Sequence, residues 1–515
     1  MTSLVRSGTI VGAMTLLSRV LGFVRDQVLA IVFGAGATTD VFLVAFKIPN
    51  FLRRLFAEGA FAQAFVPVFT EYRETRSREA LVDLAAHVSG TLSLILLLVS
   101  TLGVMLAPLI IMLFAPGFID DSERFELATH MLRITFPYLL FVSLLAYAGS
   151  MLNTFGNFAV PSFTPVLLNL SMIAAALFFS PRFETPIIAL AWGVFAAGLL
   201  QLALQLPFLQ KLGLLPRPRW GFRHPGVRRI LKLMAPAVMG SSVAQINLLL
   251  DTIIASFLAA GSLSWLYYSE RLMEFPHGLL GVTLGTIILP RLSREHASAT
   301  PAHFESIISW ALRLVLAVGL PCALGLMLLA EPMLTALFEY GEFEAVDSRM
   351  ASYSLLAYAA GLPAFLLIKV FAPAFFARQN TRTPVRIGII SMVSKMAMSL
   401  ILVLPMVWFD FVAPHVGLAI ATSLAAWLQA IMLFKRLNDD AIYQLPDSVR
   451  GFALRIMPAL LVMGLVLWQL STTNSHGLPA VSRVWQLLVM ILAAGVSYAL
   501  TLLIAGIRPR HFASP

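Results

Sequence analysis

The sequence predicts an all-α protein that crosses a membrane about fourteen times. Its 515 residues are 59% hydrophobic and only 12% charged, whereas a soluble protein has about 25% charged residues. A membrane-spanning helix needs about 20 predominantly apolar residues, and roughly fourteen runs meet this length. Because the loops between the runs are short, aqueous chemistry is expected inside the helix bundle or at its two faces.

The predicted spans follow one another closely along the chain. In order, they cover residues 8–33, 38–69, 84–114, 128–152, 158–180, 186–210, 228–258, 264–289, 306–330, 348–377, 384–408, 412–434, 452–471 and 484–506. Each run is long enough for a helix to cross the hydrocarbon layer. The connections between them leave no room for a sizeable soluble domain.

Basic residues are concentrated in alternate loops. Arg73, Arg76 and Arg78 share one loop, and a second basic loop covers residues 211–232, whereas the intervening loops are poor in basic residues. Positively charged loops stay in the cytoplasm, so the alternation predicts an even number of spans with both termini cytoplasmic. This distribution accounts for the net charge of +10 without a nucleic-acid partner. The segment 211–232 suits contact with anionic membrane lipids, with protein docking as the alternative.

Several kinds of chemistry are excluded by what the chain lacks. Its one cysteine, Cys322, rules out an intramolecular disulfide and a thiolate metal cluster. No Walker-type glycine loop occurs, which argues against ATP hydrolysis. The aspartate pairs at 120–121 and 439–440 fall in predicted loops without clustered histidines or carboxylates. We therefore predict no metal site, no cofactor and no enzymatic activity, a metal-dependent membrane transferase being the weakest alternative.

The two halves of the chain resemble each other at an offset of roughly 225 residues, as in many transporters. The segment DQVLAIVFGAG from Asp26 matches DTIIASFLAAG from Asp251. The matching prolines are Pro67 with Pro290, Pro137 with Pro363, and Pro161 with Pro384. Six spans in each repeat give both halves the same orientation, which implies a pseudo-two-fold axis along the membrane normal and a binding site between two lobes.

The repeat predicts three regions. A six-helix N-terminal lobe covers residues 1–215, a six-helix C-terminal lobe covers 216–440, and two additional helices lie in 441–515. The last two helices stand outside the repeat and need a separate purpose.

Ionisable residues interrupt the apolar runs at corresponding places in the two halves. The second span holds Arg53, Arg54 and Glu58, and the eighth holds Glu270, Arg271 and Glu274. Such a side chain at the centre of a spanning helix costs about 2.5–3.5 kcal/mol on insertion scales, so several of them are expected only beside a cavity. The helix breakers Pro49, Gly59, Pro276, Gly278 and Gly281 are expected to interrupt the same two spans, which is tolerated where a cavity or protein satisfies the backbone.

The basic members of this set suit an anionic substrate. A guanidinium group stays charged and donates two parallel hydrogen bonds to a phosphate. The predicted substrate-binding residues are Arg19, Arg25, Arg53, Arg271 and Lys369. For Lys369, snorkelling toward the membrane surface is an equal alternative.

The remaining charges are predicted to form gates or ion pairs. They are Asp26, Asp40, Arg54, Glu58 and Glu274. Arg54 and Glu58 have the i,i+4 spacing of a local pair. For Arg19, Arg25 and Asp26, the simpler interpretation is that they form interhelical ion pairs that only fix the packing. Asp251 suits a coupling cation or a helix-end contact.

The N-terminal segments resemble the MurJ (MviN) family of lipid II flippases. The similarity rests on SRVLGFVRD at 18–26, FGAGATTDVF at 33–42 and KIPNFLRRLFAEGAFAQAFVPVF at 47–69. The resemblance covers essentially the full length and is most specific in this N-terminal block. It implies the fold of the multidrug/oligosaccharidyl-lipid/polysaccharide exporter superfamily in a bacterial inner membrane.

The resemblance also implies roles for particular residues. Arg19, Arg25, Arg53 and Arg271 match cavity arginines of the family, and Asp40, Glu58 and Glu274 match its acidic positions. The last two helices are implied to form a groove for the polyprenyl tail. Some relatives carry a sodium site in the C-terminal lobe, but the eleventh span here offers only Ser391 and Ser394.

The resulting hypothesis is a lipid II flippase that works by alternating access, with a basic interlobe cavity for the diphosphate. The cycle could draw on the membrane potential, worth about 2.3 kcal/mol per charge per 100 mV, or on a monovalent ion. The expected partners are lipid II, membrane lipids and cell-wall synthesis proteins. A flippase for another polyprenyl-diphosphate oligosaccharide and a non-transporting scaffold for cell-wall assembly are the alternatives, and a drug exporter is disfavoured because the predicted cavity is mainly basic.

Overall fold

The protein is helical throughout the described part of the chain, which confirms the predicted all-α class. The computed structural model describes residues 2–54, 61–215, 217–297, 301–471 and 479–508, and these contain no β-strand. Glu58 and Gly59 lie outside the described residues. Compact units are formed by Met1–Leu263 and by Ser264–Pro515. The predicted boundaries at 215 and 440 stay predictions.

The first unit is built from ten helices among the described residues. They are α1 (Thr2–Phe33), α2 (Ala37–Arg53), α3 (Ala62–Thr75), α4 (Arg78–Met105), α5 (Ala107–Phe114), α6 (Ser122–Thr135), α7 (Tyr138–Thr154), α8 (Ala159–Ala174), α9 (Ile188–Lys211) and α10 (Pro225–Ser256). A π-helical turn at Ala175–Phe179 extends α8.

The second unit continues with α11, whose first residues lie at the boundary between the units. The helices are α11 (Ser262–Ala297), α12 (Pro301–Leu314), α13 (Leu320–Leu328), α14 (Ala330–Leu337), α15 (Ala345–Ala377), α16 (Arg382–Trp408), α17 (Val416–Asp439), α18 (Asp447–Ser471) and α19 (Ala480–Ile504). A π-helical turn at Val315–Gly319 joins α12 to α13.

Helix starts repeat along the chain at a constant interval. Thr2 of α1 and Pro225 of α10 lie 223 residues apart, and both helices are 32 residues long. The same interval separates the eight-residue helices α5 and α14, which start at Ala107 and Ala330. It also separates the apolar helical segment that starts at Ser122 from α15, which starts at Ala345. The predicted offset therefore appears as a repeat of helix lengths, and α18 and α19 follow it.

The described residues contain ten helices or helix pairs that are long and apolar enough to cross a membrane. They coincide with ten of the predicted spans. The other four predicted spans correspond to α1, the α2–α3 region, α10 and α11. Those four carry Arg25, Asp40, Asp251 and Arg271. The count of fourteen stays a prediction.

An aromatic stack holds α3 inside the first unit. Phe61, Phe65 and Phe69 recur at i,i+4 spacing, with ring centroids 5.2 and 4.9 Å apart. Tyr147 of α7 packs edge-on against Phe65, and its hydroxyl donates to the carbonyl of Ala85 at 2.8 Å. Aromatic pairs of this kind contribute about 0.5–1.5 kcal/mol each beyond their burial, so they fix α3 against α4 and α7.

The last two helices pack against the other helices of the second unit through an apolar core. Ile456 and Leu467 of α18 are fully buried. The hydroxyl of Tyr498 on α19 donates to the carbonyl of Ala317 at 2.8 Å, which satisfies a carbonyl in the π-helical turn. At the other end of α19, Arg483 lies 3.3 Å from Glu339, so α19 is fixed at two points.

The helix breakers act less strongly than the sequence predicts. Pro49 lies inside α2, and Pro276 lies inside α11. The predicted interruption of the eighth span at Pro276, Gly278 and Gly281 is wrong, because α11 continues through all three. A proline removes one backbone donor, and a helix packed against neighbours tolerates that loss.

Candidate functional site

A buried ion pair lies in the second half of α1. Arg25 is 5% exposed and Asp26 is 1% exposed. The Nη2 and Nε groups of Arg25 donate to Oδ1 of Asp26 at 2.6 and 3.0 Å. Its Nη1 donates to Oδ1 of Asn169 on α8 at 3.1 Å, and the Asn169 amide donates to the carbonyl of Ser18 at 3.0 Å. Asn169 therefore fixes Arg25 to α8 and closes a polar network inside apolar helices.

Arg53 lies at the end of α2, near the same network. Its Nε donates to Oδ1 of Asn50, one turn earlier, at 2.8 Å. Both Arg53 and Arg25 act electrostatically on the hydroxyl of Tyr138, which is 2% exposed. The structure thus brings two predicted substrate-binding arginines close to one buried phenol at the start of α7.

Among the arginines predicted to lie at the site, Arg19 and Arg54 are the exposed ones in the first unit. Arg19 lies on α1 and makes no hydrogen bond or ion pair with another described residue. Arg54 follows α2 and is also exposed. Its predicted partner Glu58 falls outside the described residues, so that pair stays a prediction.

Asp40 binds a backbone group at the far end of the first unit. Its Oδ2 accepts a hydrogen bond from the Gly261 amide at 2.7 Å and lies 3.7 Å from Nη2 of Arg124. Gly261 has φ +94°, a left-handed conformation that glycine adopts without strain. Asp40 thereby holds the turn after α10 in place. Its predicted gating role stays a prediction.

In the second unit, Arg271 and Glu274 form a pair on α11. Nη1 of Arg271 donates to Oε2 of Glu274 at 3.0 Å, and Nη2 lies 3.2 Å from the Tyr267 hydroxyl. The guanidinium carbon also lies 5.1 Å from the Tyr267 ring centroid. The side chains are 35% and 59% exposed, so this pair is much more accessible to water than Arg25 and Asp26.

Lys369 of α15 lies beside Gly281 of α11, about two turns beyond that pair. A Cβ added at Gly281 would lie 3.9 Å from Lys369 Cγ and 3.9 Å from His277 Cε1. Lys369 is exposed, and His277 is half-buried with its ring 5.8 Å from that of Phe365. Arg271, Glu274, His277 and Lys369 therefore follow one another along a single polar stretch of the second unit.

Sequence reasoning missed four residues of these groups. Asn169 and Tyr138 lie near Arg25, His277 lies near Lys369, and Lys395 is a 4% exposed lysine inside the apolar helix α16. A rule that flags every ionisable residue within an apolar run would have found His277 and Lys395. Asn169 and Tyr138 give no such signal, because their importance comes from contacts with distant helices.

The helices and the polar groups inside them define a multi-pass membrane protein of the transporter class. Ionisable residues paired within long apolar helices are typical of substrate and ion pathways, and the repeated helix pattern is typical of transporters. The family model "Lipid II flippase MurJ" matches residues 29–489. The chain belongs to this family, which confirms the expected resemblance and the prediction of a transporter rather than an enzyme.

Relatives match over nearly the whole chain. The "Probable lipid II flippase MurJ" of Vibrio cholerae serotype O1 is 49% identical over 514 residues, covering 98% of this chain and 97% of its own length. The "Lipid II flippase MurJ" of Burkholderia cenocepacia is 41% identical over 471 residues, covering 90% of each chain. This identity extends the similarity well beyond the N-terminal motifs.

Solved structures agree on the fold. A structure described as "Lipid II flippase MurJ, inward closed conformation" gives a TM-score of 0.79 at 28% identity, covering 96% of this chain and 98% of that one. An inward-facing multidrug resistance MATE family transporter of the MOP superfamily gives 0.65 at 13% identity, covering 84% and 98%. The second likeness concerns the fold alone, and it agrees with the predicted fold.

Proposed function

We propose that this chain moves lipid II from the cytoplasmic to the periplasmic leaflet of a bacterial inner membrane by alternating access. The observation that carries the proposal is the set of arginines held inside apolar helices, in a chain that belongs to the lipid II flippase family. The proposal includes the direction of transport, the binding residues and cytoplasmic termini.

The diphosphate of the substrate matches the arginines chemically. Arg19 is exposed at the helix surface, and Arg271 already presents two donors to neighbouring oxygens. A diphosphate can replace a carboxylate as the acceptor for a guanidinium fork. In this proposal Arg19, Arg25, Arg53, Arg271 and Lys369 bind the headgroup, and Glu274 exchanges with it as a competing acceptor for Arg271.

The polyprenyl tail requires an apolar surface that is continuous with lipid. A groove of about 600 Å³ in the second unit is lined almost entirely by apolar side chains. Its walls come from α12, α15, α17 and α18 and include Leu367, Phe371, Trp427, Phe434, Leu454 and Met457. We assign this groove to the tail, so that α18 contributes one wall of the predicted lipid-binding region.

The energy source belongs to the same proposal. Moving one elementary charge across the membrane potential is worth about 2.3 kcal/mol per 100 mV, which is enough to bias a transition between two conformations. A monovalent ion is the alternative. Interactions with cell-wall synthesis proteins are proposed through the basic segment 211–232.

The test is depletion of the protein in cells, followed by measurement of lipid II accessible at the outer leaflet. Complementation uses the wild type, Arg25→Ala, Arg271→Ala and the matched control Arg436→Ala, whose arginine pairs with Asp440 near the surface. Depletion should remove accessible lipid II, and the wild type and the control should restore it. The two cavity variants should fail at equal membrane abundance.

Unchanged accessibility in cells without a second flippase would contradict the assignment to lipid II. Full rescue by Arg25→Ala and Arg271→Ala would contradict the binding residues instead. If truncation of 211–232 then abolished function, the non-transporting scaffold would be the better explanation.

A further inference from the structure

A cluster of two histidines and an aspartate lies at the start of α4, outside the groups described above. Asp83 and His87 are spaced i,i+4 on α4, and His224 immediately precedes α10. One ligand atom from each residue lies within 4.8 Å of the other two. His224 is distant in sequence from the other two, which is why the chain alone indicates no metal site.

The distances within the cluster match those between the ligands of a tetrahedral ion. Oδ2 of Asp83 lies 3.3 Å from Nδ1 of His87 and 3.5 Å from Nε2 of His224. Zinc binds nitrogen and oxygen ligands at about 2.0–2.2 Å, so two ligand atoms on a tetrahedral zinc lie about 3.4 Å apart. Small rotations of the side chains would bring His87 Nδ1 and His224 Nε2 to the same spacing.

We propose that Asp83, His87 and His224 form a binding site for a first-row divalent cation of the zinc type. Two imidazoles and one carboxylate are the ligand set of many zinc sites that keep a water in the fourth position. The Asp83 side chain is 41% exposed, which leaves that position open to solvent. The site is independent of the proposed transport of lipid II.

The fold holds the cluster together before any ion binds. The backbone amide of Arg219 donates to the carbonyl of Ala86 at 3.0 Å. A Cβ at Gly90 would lie 2.2 Å from the Arg219 carbonyl oxygen, and one at Gly221 would lie 2.6 Å from His87 Cβ. Both glycines therefore let the segment before α10 lie directly on α4. As a result the two imidazole rings stack with centroids 5.0 Å apart and planes inclined by 19°.

Ion binding requires each ring to present a nitrogen without a proton. His87 Nδ1 donates to the Asp83 carbonyl at 2.9 Å, so binding through this nitrogen moves the ring proton to Nε2 and gives up that hydrogen bond. His224 Nδ1 accepts from the Gly226 amide at 3.1 Å. Binding through His224 Nε2 moves the ring proton to Nδ1 and releases the Gly226 amide to water. The ion would therefore exchange the cap of α10 for a link between α10 and α4.

The nearest competing charge is Arg219. Its Nη1 lies 3.3 Å from Oδ1 of Asp83, the oxygen that faces away from the histidines. A guanidinium group beside the site repels a cation, so Arg219→Gln is expected to tighten binding severalfold. A gain of affinity cannot result from misfolding, which makes this variant a control for the losses expected elsewhere.

The experiment uses the full chain in detergent, with an affinity tag that contains no histidine, after treatment with a chelator. Co²⁺ is titrated first, because tetrahedral Co²⁺ has a strong visible absorption, and Zn²⁺ affinity is then measured by competition with a chromophoric chelator. Wild type should bind one equivalent. Loss of a residue that only hydrogen-bonds to a metal ligand weakens metal binding by about 10- to 100-fold. Asp83→Asn, His87→Gln and His224→Gln, which remove a ligand itself, should therefore each lower the affinity more than tenfold.

The matched control is His130→Gln, because His130 is exposed on α6 and lies outside the cluster. It should bind as the wild type does. The proposal is overturned if the wild type binds neither Co²⁺ nor Zn²⁺ tightly, or if the three cluster variants keep the wild-type affinity. It is also overturned if His130→Gln lowers the affinity as much as the cluster variants do. Size-exclusion profiles of all variants show whether a loss reflects unfolding.

Discussion

Two arginines of the same predicted function lie in contrasting surroundings. Arg25 is 5% exposed and bound by both Asp26 and Asn169. The side chain of Arg271 is 35% exposed and binds Glu274 and Tyr267, both within one turn of its own helix. The first is fixed by two helices, whereas the second is held by local contacts that water can reach.

This difference separates a structural from an exchangeable interaction. Removing one partner of a buried ion pair leaves an uncompensated charge in a medium that solvates it poorly. Removing one partner of an exposed pair costs little, because water replaces it. We therefore expect the network around Arg25 to dominate stability and the pair at Arg271 to respond to substrate.

The largest expected effect follows from Asp26→Asn. The substitution keeps the shape of the side chain but leaves the buried Arg25 guanidinium without its carboxylate, and breaking a buried pair costs about 3–5 kcal/mol. The free energy of unfolding, followed by denaturant titration in detergent, should fall by that amount. A loss below about 1 kcal/mol would mean that water reaches the pair in solution, and the contrast with Arg271 would disappear.

The second-largest expected loss of stability follows from Asp40→Ala, which loosens the turn after α10. Asp40→Ala removes the acceptor for the Gly261 amide, and a hydrogen bond to a charged group contributes about 1.5–3 kcal/mol. Asp40→Asn keeps an acceptor oxygen and should lose less. Hydrogen exchange of the Gly261 amide should accelerate in the alanine variant, and the exposed Asp120→Asn serves as control. Equal losses in both Asp40 variants would show that the charge, through Arg124, matters more than the hydrogen bond.

Much of this architecture could be predicted from local properties of the sequence. Hydropathy located the helices, and the repeat of prolines and glycines predicted the offset that reappears in α1 and α10. Charges inside apolar runs are costly, so Arg25, Asp40 and Arg271 stood out as residues that needed partners. These signals are local, and they depend on one helix at a time.

The identity of the partners could not be predicted in the same way. Arg25 pairs with its neighbour Asp26 and with Asn169, which lies 144 residues away on another helix. Asp40 accepts a hydrogen bond from a backbone amide in addition to its contact with Arg124. Uncharged partners such as amides and backbone groups carry no hydropathy signal. Only tertiary packing decides which of them lies within reach of a charge.

Asn169→Ala should lower the free energy of unfolding less than Asp26→Asn or Asp40→Ala does. Arg25 keeps its contacts with Asp26, so the variant removes one hydrogen bond to the guanidinium, worth about 1.5 kcal/mol, and the weaker hydrogen bond from the Asn169 amide to the Ser18 carbonyl. If Asn169 positions Arg25 for substrate, lipid II binding should weaken while Asn169→Gln restores part of it. The exposed Asn153→Ala on α7 is the control. A change in stability with unaltered binding would assign Asn169 to packing alone.

The smallest effect on stability is expected for Glu274→Gln. This variant tests whether the accessible Arg271–Glu274 pair opens to substrate. The Glu274 side chain is 59% exposed, so its loss should change the free energy of unfolding by at most about 0.5 kcal/mol. Because Glu274 competes with the diphosphate for Arg271, its neutralisation should tighten lipid II binding severalfold and slow release. Glu270→Gln, on the same helix and also exposed, should change neither. Weaker binding in Glu274→Gln would instead mean that the carboxylate orients Arg271 toward the substrate, so that the accessible pair too is a fixed part of the site.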